Sequence, residues 1–336
     1  MNIAINGFGR IGRAVFKILL EKKGDLKVVA INDLTDTKTL AHLLKYDTCY
    51  GIYKKEVNYA ADALIVAGKK YKITAEKDPS VLPWKELGVD IVLECTGKFR
   101  SKEKAMPHIK AGAKKVIVSA PADDPKVKTF VLGVNEEKIS KKDKVISNAS
   151  CTTNCLAPIT EVVRKNFGIK KAIMTTIHSY TADQNLVDGP HKDLRRARAA
   201  AANMVPTTTG AAIAVTETIP SLKNKFDGMA VRVPTPVVSL TDAVYVTSKK
   251  VDEKKVMAAF KQAARSARLK GLIEASDEPL VSSDLIQNPA SAIVDLTMTK
   301  VVDGDLLKVV AWYDNEWGYS CRLADLAEYI GKKKLL

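Results

Sequence analysis

Ser147-Asn148-Ala149-Ser150-Cys151-Thr152-Thr153-Asn154-Cys155 sets a cysteine between a strand-like Lys144-Val145-Ile146 and a helical stretch, Leu156 to Val163. A cysteine at a helix N-terminus faces unsatisfied N–H groups and the positive end of the helix dipole, which favour thiolate over thiol. The competing reading is a buried, inert cysteine. Ser150, Thr152 and Thr153 bring polar hydrogens rather than packing surface, so Cys151 reads as a nucleophile. Cys155, one helical turn on, reads as packed.

Such a thiol needs a base, and the histidines are His42, His108, His178 and His191. His42 and His108 fall in helical stretches of the first half and read as surface or packing. His178 closes a strand, Ala172–Ile177, among Ser179, Tyr180, Thr181 and Asp183, and is the candidate base. Anion-binding groups follow. Thr207-Thr208-Thr209-Gly210 opens a helix expected over 211–218, with hydroxyls and backbone N–H groups suited to a phosphate. Arg195, Arg196, Arg198 and Arg232 add charge and bidentate hydrogen bonds. Arg232 stands out because it interrupts an apolar strand before Pro234.

A second motif lies at the start of the chain. Gly7-Phe8-Gly9-Arg10-Ile11-Gly12 follows a strand, Asn2–Asn6, and opens a helix. A second strand ends at Asn32-Asp33, so Asp33 has the spacing of a ribose-binding acid. The alternative is a glycine turn that only packs strand on helix. Read in this context the glycines let a pyrophosphate approach the helix N-terminus, and Asp33 accepts from a ribose 2′-hydroxyl while repelling a 2′-phosphate. That favours NAD over NADP. A nucleotide-binding half followed by an activated cysteine suggests a dehydrogenase in which the thiolate adds to an aldehyde and oxidation leaves a thioester.

The elements that must position these groups differ between the halves. The first alternates apolar runs with helices: strands at 2–6, 27–31, 91–95, 116–119 and Phe130-Val131-Leu132, with a helix from Arg10 to Lys22. This is the rhythm of a mainly parallel sheet covered by helices. After Cys151 the strands lengthen, at 172–179, 229–233, 242–248, 292–302 and 306–313, the last two flanking an Asp303-Gly304-Asp305 hairpin signal. A helix is expected from Asp252 to Arg268 and another from Tyr319 to Ile330. The fold class is therefore α/β: a Rossmann dinucleotide-binding domain over 1–150 and an α+β catalytic domain with a mixed or antiparallel sheet over 151–317. A C-terminal helix, about 318–336, is expected to return to the first domain. The long, charged, weakly strand-like stretch from Ser179 to Pro206 has the length of a functional loop.

Composition narrows the classes. The 336 residues suffice for about two domains, and the 46% hydrophobic content is that of a globular protein. Five cysteines without framework spacing point to a reducing, cytoplasmic setting. Cys151 and Cys155 lack the second Cys/His pair of a metal site. No apolar stretch reaches the ~20 residues of a membrane span, and the opening strand leaves no room for a signal peptide. The +15 charge comes from scattered lysine pairs without aromatic interleaving, so it reads as a solvated surface that attracts anionic metabolites rather than as specific nucleic-acid recognition.

Six segments resemble the phosphorylating glyceraldehyde-3-phosphate dehydrogenases: Asn6–Arg13, Ser147–Pro158, His178–Thr181, Asp193–Ala199, Pro206–Ala212 and Trp312–Glu316. They span essentially the whole chain. The resemblance implies oxidation of D-glyceraldehyde 3-phosphate with NAD and inorganic phosphate to 1,3-bisphosphoglycerate, in glycolysis or gluconeogenesis. It implies that Cys151 is the nucleophile and His178 its base. Thr181 and Arg232 would hold the substrate's C3 phosphate. Ser150, Thr152, Thr209 and Gly210 would bind the attacking phosphate, with Arg196 close to both anions. Arg10 and Ile11 would meet the cofactor pyrophosphate, Asp33 the adenosine ribose and Asn315 the nicotinamide amide, with Lys77 and Ser119 lining the cleft. The family's loop between His178 and Val205 packs on a neighbouring subunit, which implies a homotetramer. Gly189-Pro190 stands where many bacterial relatives have Leu-Pro; the retained Pro190, and Leu34 after Asp33, still point to NAD. The rivals are the sister activity on erythrose 4-phosphate, against which Thr181 argues, and a secondary role on RNA or an acidic partner.

Overall fold

The computed structural model describes all 336 residues. The chain divides into two units, one comprising Met1–Phe130, Glu137–Ala149 and Ser320–Leu336, the other Val131–Glu136 and Ser150–Tyr319.

The first unit contains β1 (Asn2–Asn6), α1 (Arg10–Glu21), β2 (Lys27–Asn32), α2 (Thr37–Lys45), β3 (Tyr46–Asp47) and β4 (Gly51–Ile52). Then come β5 (Val57–Ala60), β6 (Ala63–Val66), β7 (Lys69–Thr74), β8 (Ile91–Glu94), α3 (Lys102–Lys110), β9 (Lys115–Val118), β10 (Lys128–Thr129) and β11 (Val145–Ser147). Nine of these strands form one sheet in the order β10-β11-β9-β8-β1-β2-β7-β6-β5. It is parallel from β10 to β7, and β6 and β5 extend it as an antiparallel edge. The central strands are apolar runs buried on both faces, as a sheet covered by helices requires. Ala4, Val92, Val116 and Trp84 belong to one apolar cluster beneath it.

The second unit contains α4 (Cys151–Phe167), β12 (Ile169–Ser179), β13 (Val205–Thr208), α5 (Ala211–Thr218), β14 (Phe226–Val233) and β15 (Ser239–Thr247). It continues with α6 (Glu253–Arg265), β16 (Ile273–Ser276), β17 (Ala292–Val302) and β18 (Leu306–Tyr313). The sheet order is β13-β14-β12-β15-β18-β17-β16. Only β12–β14 and β16–β17 are parallel, so the sheet is mixed, and the α/β class read from the sequence holds. In β15 every second residue is buried, the period of a sheet with one packed face. Asp303 and Gly304 both have positive φ, 48° and 74°, which the tight β17–β18 turn demands. The α4 helix is buried from Thr152 to Val163.

The last helix, α7 (Trp317–Lys332), places most of its length in the first unit. There Lys22 Nζ of α1 lies 2.5 Å from Asp325 and 2.9 Å from Glu328.

One local expectation needs correction. Phe130-Val131-Leu132 is not a strand: β10 ends at Thr129, and the chain turns at Gly133, whose φ is +82°. The Asn135 side chain accepts from Val131 N–H at 2.9 Å, taking the place of a ladder partner. The β5–β7 edge was not anticipated either; its strands are short and pivot on Ala67-Gly68, both at positive φ.

Candidate active site

The helix α4 begins at Cys151 because Ser150 caps it: the Ser150 hydroxyl accepts from Thr153 N–H at 3.0 Å, a cap worth about 1 kcal/mol. Ala149, just before, has φ +56°. Cys151 Sγ lies 3.4 Å from His178 Nε2 at the end of β12. His178 Nδ1 is 2.7 Å from the Ser179 carbonyl, which can only accept, so the ring carries its proton on Nδ1. Nε2 is then a lone pair aimed at the thiol. Burial, and then the Arg232 guanidinium, hold His178 down at about 3. The imidazole is neutral.

Burial also pushes the Cys151 thiol up, with Arg232 pulling it partly back. Desolvation thus works against the thiolate that the helix N-terminus favours.

Arg232 projects from β14, opposite His178 in the parallel register. Its Nη1 donates to the Ser179 carbonyl at 3.1 Å and to Thr181 Oγ1 at 3.4 Å. Its Nε is buried without a partner, and an orphaned guanidinium N–H beside a hydroxyl is a demand for an anion. Arg196 donates from Nε to Thr207 Oγ1 at 3.0 Å and from Nη2 to the Thr208 carbonyl at 3.1 Å, and pairs with Asp183. It lies near enough to depress His178 and Arg232 electrostatically. Thr209 Oγ1 accepts from Ala211 N–H, and a Cβ at Gly210 would meet nothing within 4 Å, so the α5 N-terminus is open. Arg198 instead pairs with Asp188 at 2.7 Å, and Arg195 donates to the Pro206 carbonyl; neither joins the cluster.

Thr152 Oγ1 bonds Tyr313 Oη at 2.8 Å and also lies 4.0 Å from Cys151 Sγ, so both its side chain and its backbone N–H attend the thiol. Tyr313 and Ser239 escaped the sequence reading. Tyr313 packs edge-on to the His178 ring at 6.0 Å and bridges Thr152 to Thr176. Asn315 is buried, and its Oδ1 accepts from the hydroxyls of Ser179 at 3.0 Å and Ser239 at 3.1 Å.

In the first unit the glycine motif forms one wall of a cavity of about 510 Å³, lined by Gly7, Gly9, Asp33, Leu34, Lys77 and Phe99 among others. Gly7 has φ +91°, and a Cβ there would strike Thr96 N at 2.8 Å. At Gly12 a Cβ would sit 2.1 Å from the Gly7 carbonyl, whereas at Gly9 it would meet nothing within 4 Å. The turn is thus closed against its own unit and open toward the cavity. Gly9, which lines the cavity, begins α1 without a side-chain cap, placing the positive end of the helix dipole there. Asp33 Oδ2 accepts from Phe8 N–H at 2.7 Å, tying the ribose-binding acid to the phosphate turn. These features fit a dinucleotide. The Arg10 side chain pairs with Asp47 at 2.6 Å. The Ser119 side chain bonds that of Cys95, a half-buried residue that itself lines the cavity.

The glyceraldehyde 3-phosphate dehydrogenase NAD binding domain matches residues 1–102, and the C-terminal domain of the same enzyme matches residues 150–315. The chain belongs to the glyceraldehyde 3-phosphate dehydrogenase family. Glyceraldehyde-3-phosphate dehydrogenase 2 of Streptomyces avermitilis is 54% identical over 334 residues, 99% of each chain. Glyceraldehyde-3-phosphate dehydrogenase of Geobacillus stearothermophilus is 54% identical over 336 residues, 100% of this chain and 99% of its own. That of Mycobacterium tuberculosis is 54% identical over 338 residues, again 99% of each chain. No helix is long and apolar enough to cross a membrane.

Proposed function

We propose that the protein oxidises D-glyceraldehyde 3-phosphate with NAD⁺ and inorganic phosphate to 1,3-bisphosphoglycerate. The observation that carries this is a thiol 3.4 Å from a neutral imidazole lone pair, beside a guanidinium with an orphaned N–H. Bound NAD⁺ supplies the two-electron acceptor. Cys151 Sγ adds to the aldehyde carbon while His178 Nε2 relays the thiol proton to the carbonyl oxygen, giving a hemithioacetal. His178 then removes that hydroxyl proton as the carbon is oxidised to a thioester. Inorganic phosphate attacks the thioester and expels the Cys151 sulfur.

Thr181 and Arg232 hold the C3 phosphate in this reading, and Arg232 Nε has the free donor for it. Ser150, Thr152, Thr209 and Gly210 receive the attacking phosphate, with Arg196 close to both anions. Gly7, Gly9, Gly12, Arg10 and Ile11 receive the pyrophosphate, Asp33 the ribose and Asn315 the nicotinamide amide, with Lys77 and Ser119 lining the cleft. We assign residues 1–150 as the cofactor domain and 151–317 as the catalytic domain.

The working form is a cytoplasmic homotetramer. Leu186, Val187, Leu194 and Met204 are 72–81% exposed within the stretch between His178 and Val205, and apolar exposure of that kind suits a subunit contact.

Reduced-cofactor absorbance with glyceraldehyde 3-phosphate, with and without phosphate, tests the reading. Phosphate-dependent NADH formation, abolished by Cys151→Ser with NAD⁺ binding retained, is expected. Turnover without phosphate, or with erythrose 4-phosphate alone, would overturn it.

A further inference from the structure

Asn315, Ser179 and Ser239 stand far apart in sequence but meet where β12, β15 and β18 lie side by side. Both hydroxyls donate to Asn315 Oδ1, at 3.0 and 3.1 Å, so its lone pairs are occupied from within the protein. Nδ2 is left as the end of the amide able to address a ligand, and it can only donate. Ser239 Oγ also accepts from Ser179 N–H at 3.1 Å. The Ser179 carbonyl in turn accepts from His178 Nδ1 and Arg232 Nη1. One chain of hydrogen bonds therefore runs from Asn315 through a single serine to the base.

The residue that delivers Ser239 is out of the ordinary. Val238, buried and β-branched, has φ +69°, a region such side chains avoid. Strained backbone persists where the surroundings impose it, and it gathers at functional sites. Here the unusual turn places the next hydroxyl between Asn315 and Ser179.

We infer that Ser239, with Ser179, is a positioning residue that fixes which end of the Asn315 amide meets the cofactor's carboxamide. This rests on the assignment of Asn315 to the nicotinamide amide. A carboxamide presents a carbonyl at one end and an NH₂ at the other. An Asn315 free to flip would accept either end of that group. An Asn315 that only donates binds the carboxamide oxygen alone.

Calorimetric titration of the full chain with NAD⁺ and with ADP-ribose, which lacks the nicotinamide, tests this. Ser239→Ala and Ser179→Ala each remove one donor, so either variant that folds suffices. Each should weaken NAD⁺ by about tenfold, the worth of a lost hydrogen bond plus its released amide, and leave ADP-ribose within about twofold. Equal weakening of both ligands, or no change in either, would overturn the inference. A wild-type chain that bound neither ligand would instead remove the cofactor reading beneath it.

Discussion

Arg232 Nη1 lies 3.0 Å from Nδ1 of His178, and both nitrogens converge on the Ser179 carbonyl. A fixed cation this close, in a buried setting, makes the imidazolium costly, so the base is unprotonated at any physiological pH. Its work is to move the thiol proton at the moment of attack. His178→Asn should slow turnover by about 10²–10⁴, read as kcat at saturating substrate. A negligible effect would remove His178 from the chemistry.

The same depression is linked to stability. An unfolded histidine titrates near about 6.5, whereas folded His178 is held at about 3. Between those values the unfolded chain binds a proton that the folded chain refuses. Its contribution is therefore fully present above about pH 6.5 and lost as pH falls toward 3. Urea midpoints should drop between about pH 7 and about pH 4.5, and less steeply in His178→Asn. Identical slopes in the two proteins would mean that His178 accepts its proton without unfolding.

Arg232→Gln deletes a buried charge whose Nε lacks a partner. For glyceraldehyde 3-phosphate, kcat/KM should fall by about 10²-fold or more, the range for truncating a buried charged hydrogen-bond partner. Unphosphorylated glyceraldehyde should be hurt far less. An equal loss on both substrates would show that Arg232 serves the thiol or the imidazole rather than a phosphate.

Asp33→Ser should lower kcat/KM for NAD⁺ by about tenfold through the lost ribose acceptor and raise it for NADP⁺, since the repelling charge is gone. An unchanged ratio of the two cofactors would place the discrimination elsewhere.

Gly9 and Gly12 should separate binding from folding. Gly12→Ala drives a Cβ to 2.1 Å from the Gly7 carbonyl, an overpacking worth about 1–3 kcal/mol, and should lower the melting temperature together with NAD⁺ affinity. Gly9→Ala meets nothing within 4 Å at an ordinary φ of −72°. The melting point should hold while NAD⁺ binding weakens, because the methyl occupies the space of the pyrophosphate. A melting point that fell equally in both variants would refute the assignment of that space.

What could be read in advance followed from local requirements. Gly7 and Gly12 are demanded by backbone approach, and Ser150 by the first turn of α4, so their spacing alone announces them. Phe130-Val131-Leu132 misled because an apolar run looks alike whether it extends or turns; the Asn135 side chain decides, four residues on. The burial that opposes a Cys151 thiolate was hidden for a related reason. Dipole and neighbours are local, but that burial comes from strands far along the chain. Tyr313 and Ser239 were missed on the same ground: their roles exist only once β12, β15 and β18 align in register. No one-dimensional signal marks a serine that reaches across 76 residues.

The first unit is closed by the chain's own end: Lys22 of α1 waits for Asp325 and Glu328 of α7. During synthesis the amino-terminal sheet therefore leaves the ribosome without its final helix, and that partner emerges only after the whole second unit has been made. At about 5–20 residues per second, the glycine turn and its parallel strands remain incompletely covered for many seconds. Neither unit can be produced as one uninterrupted fragment.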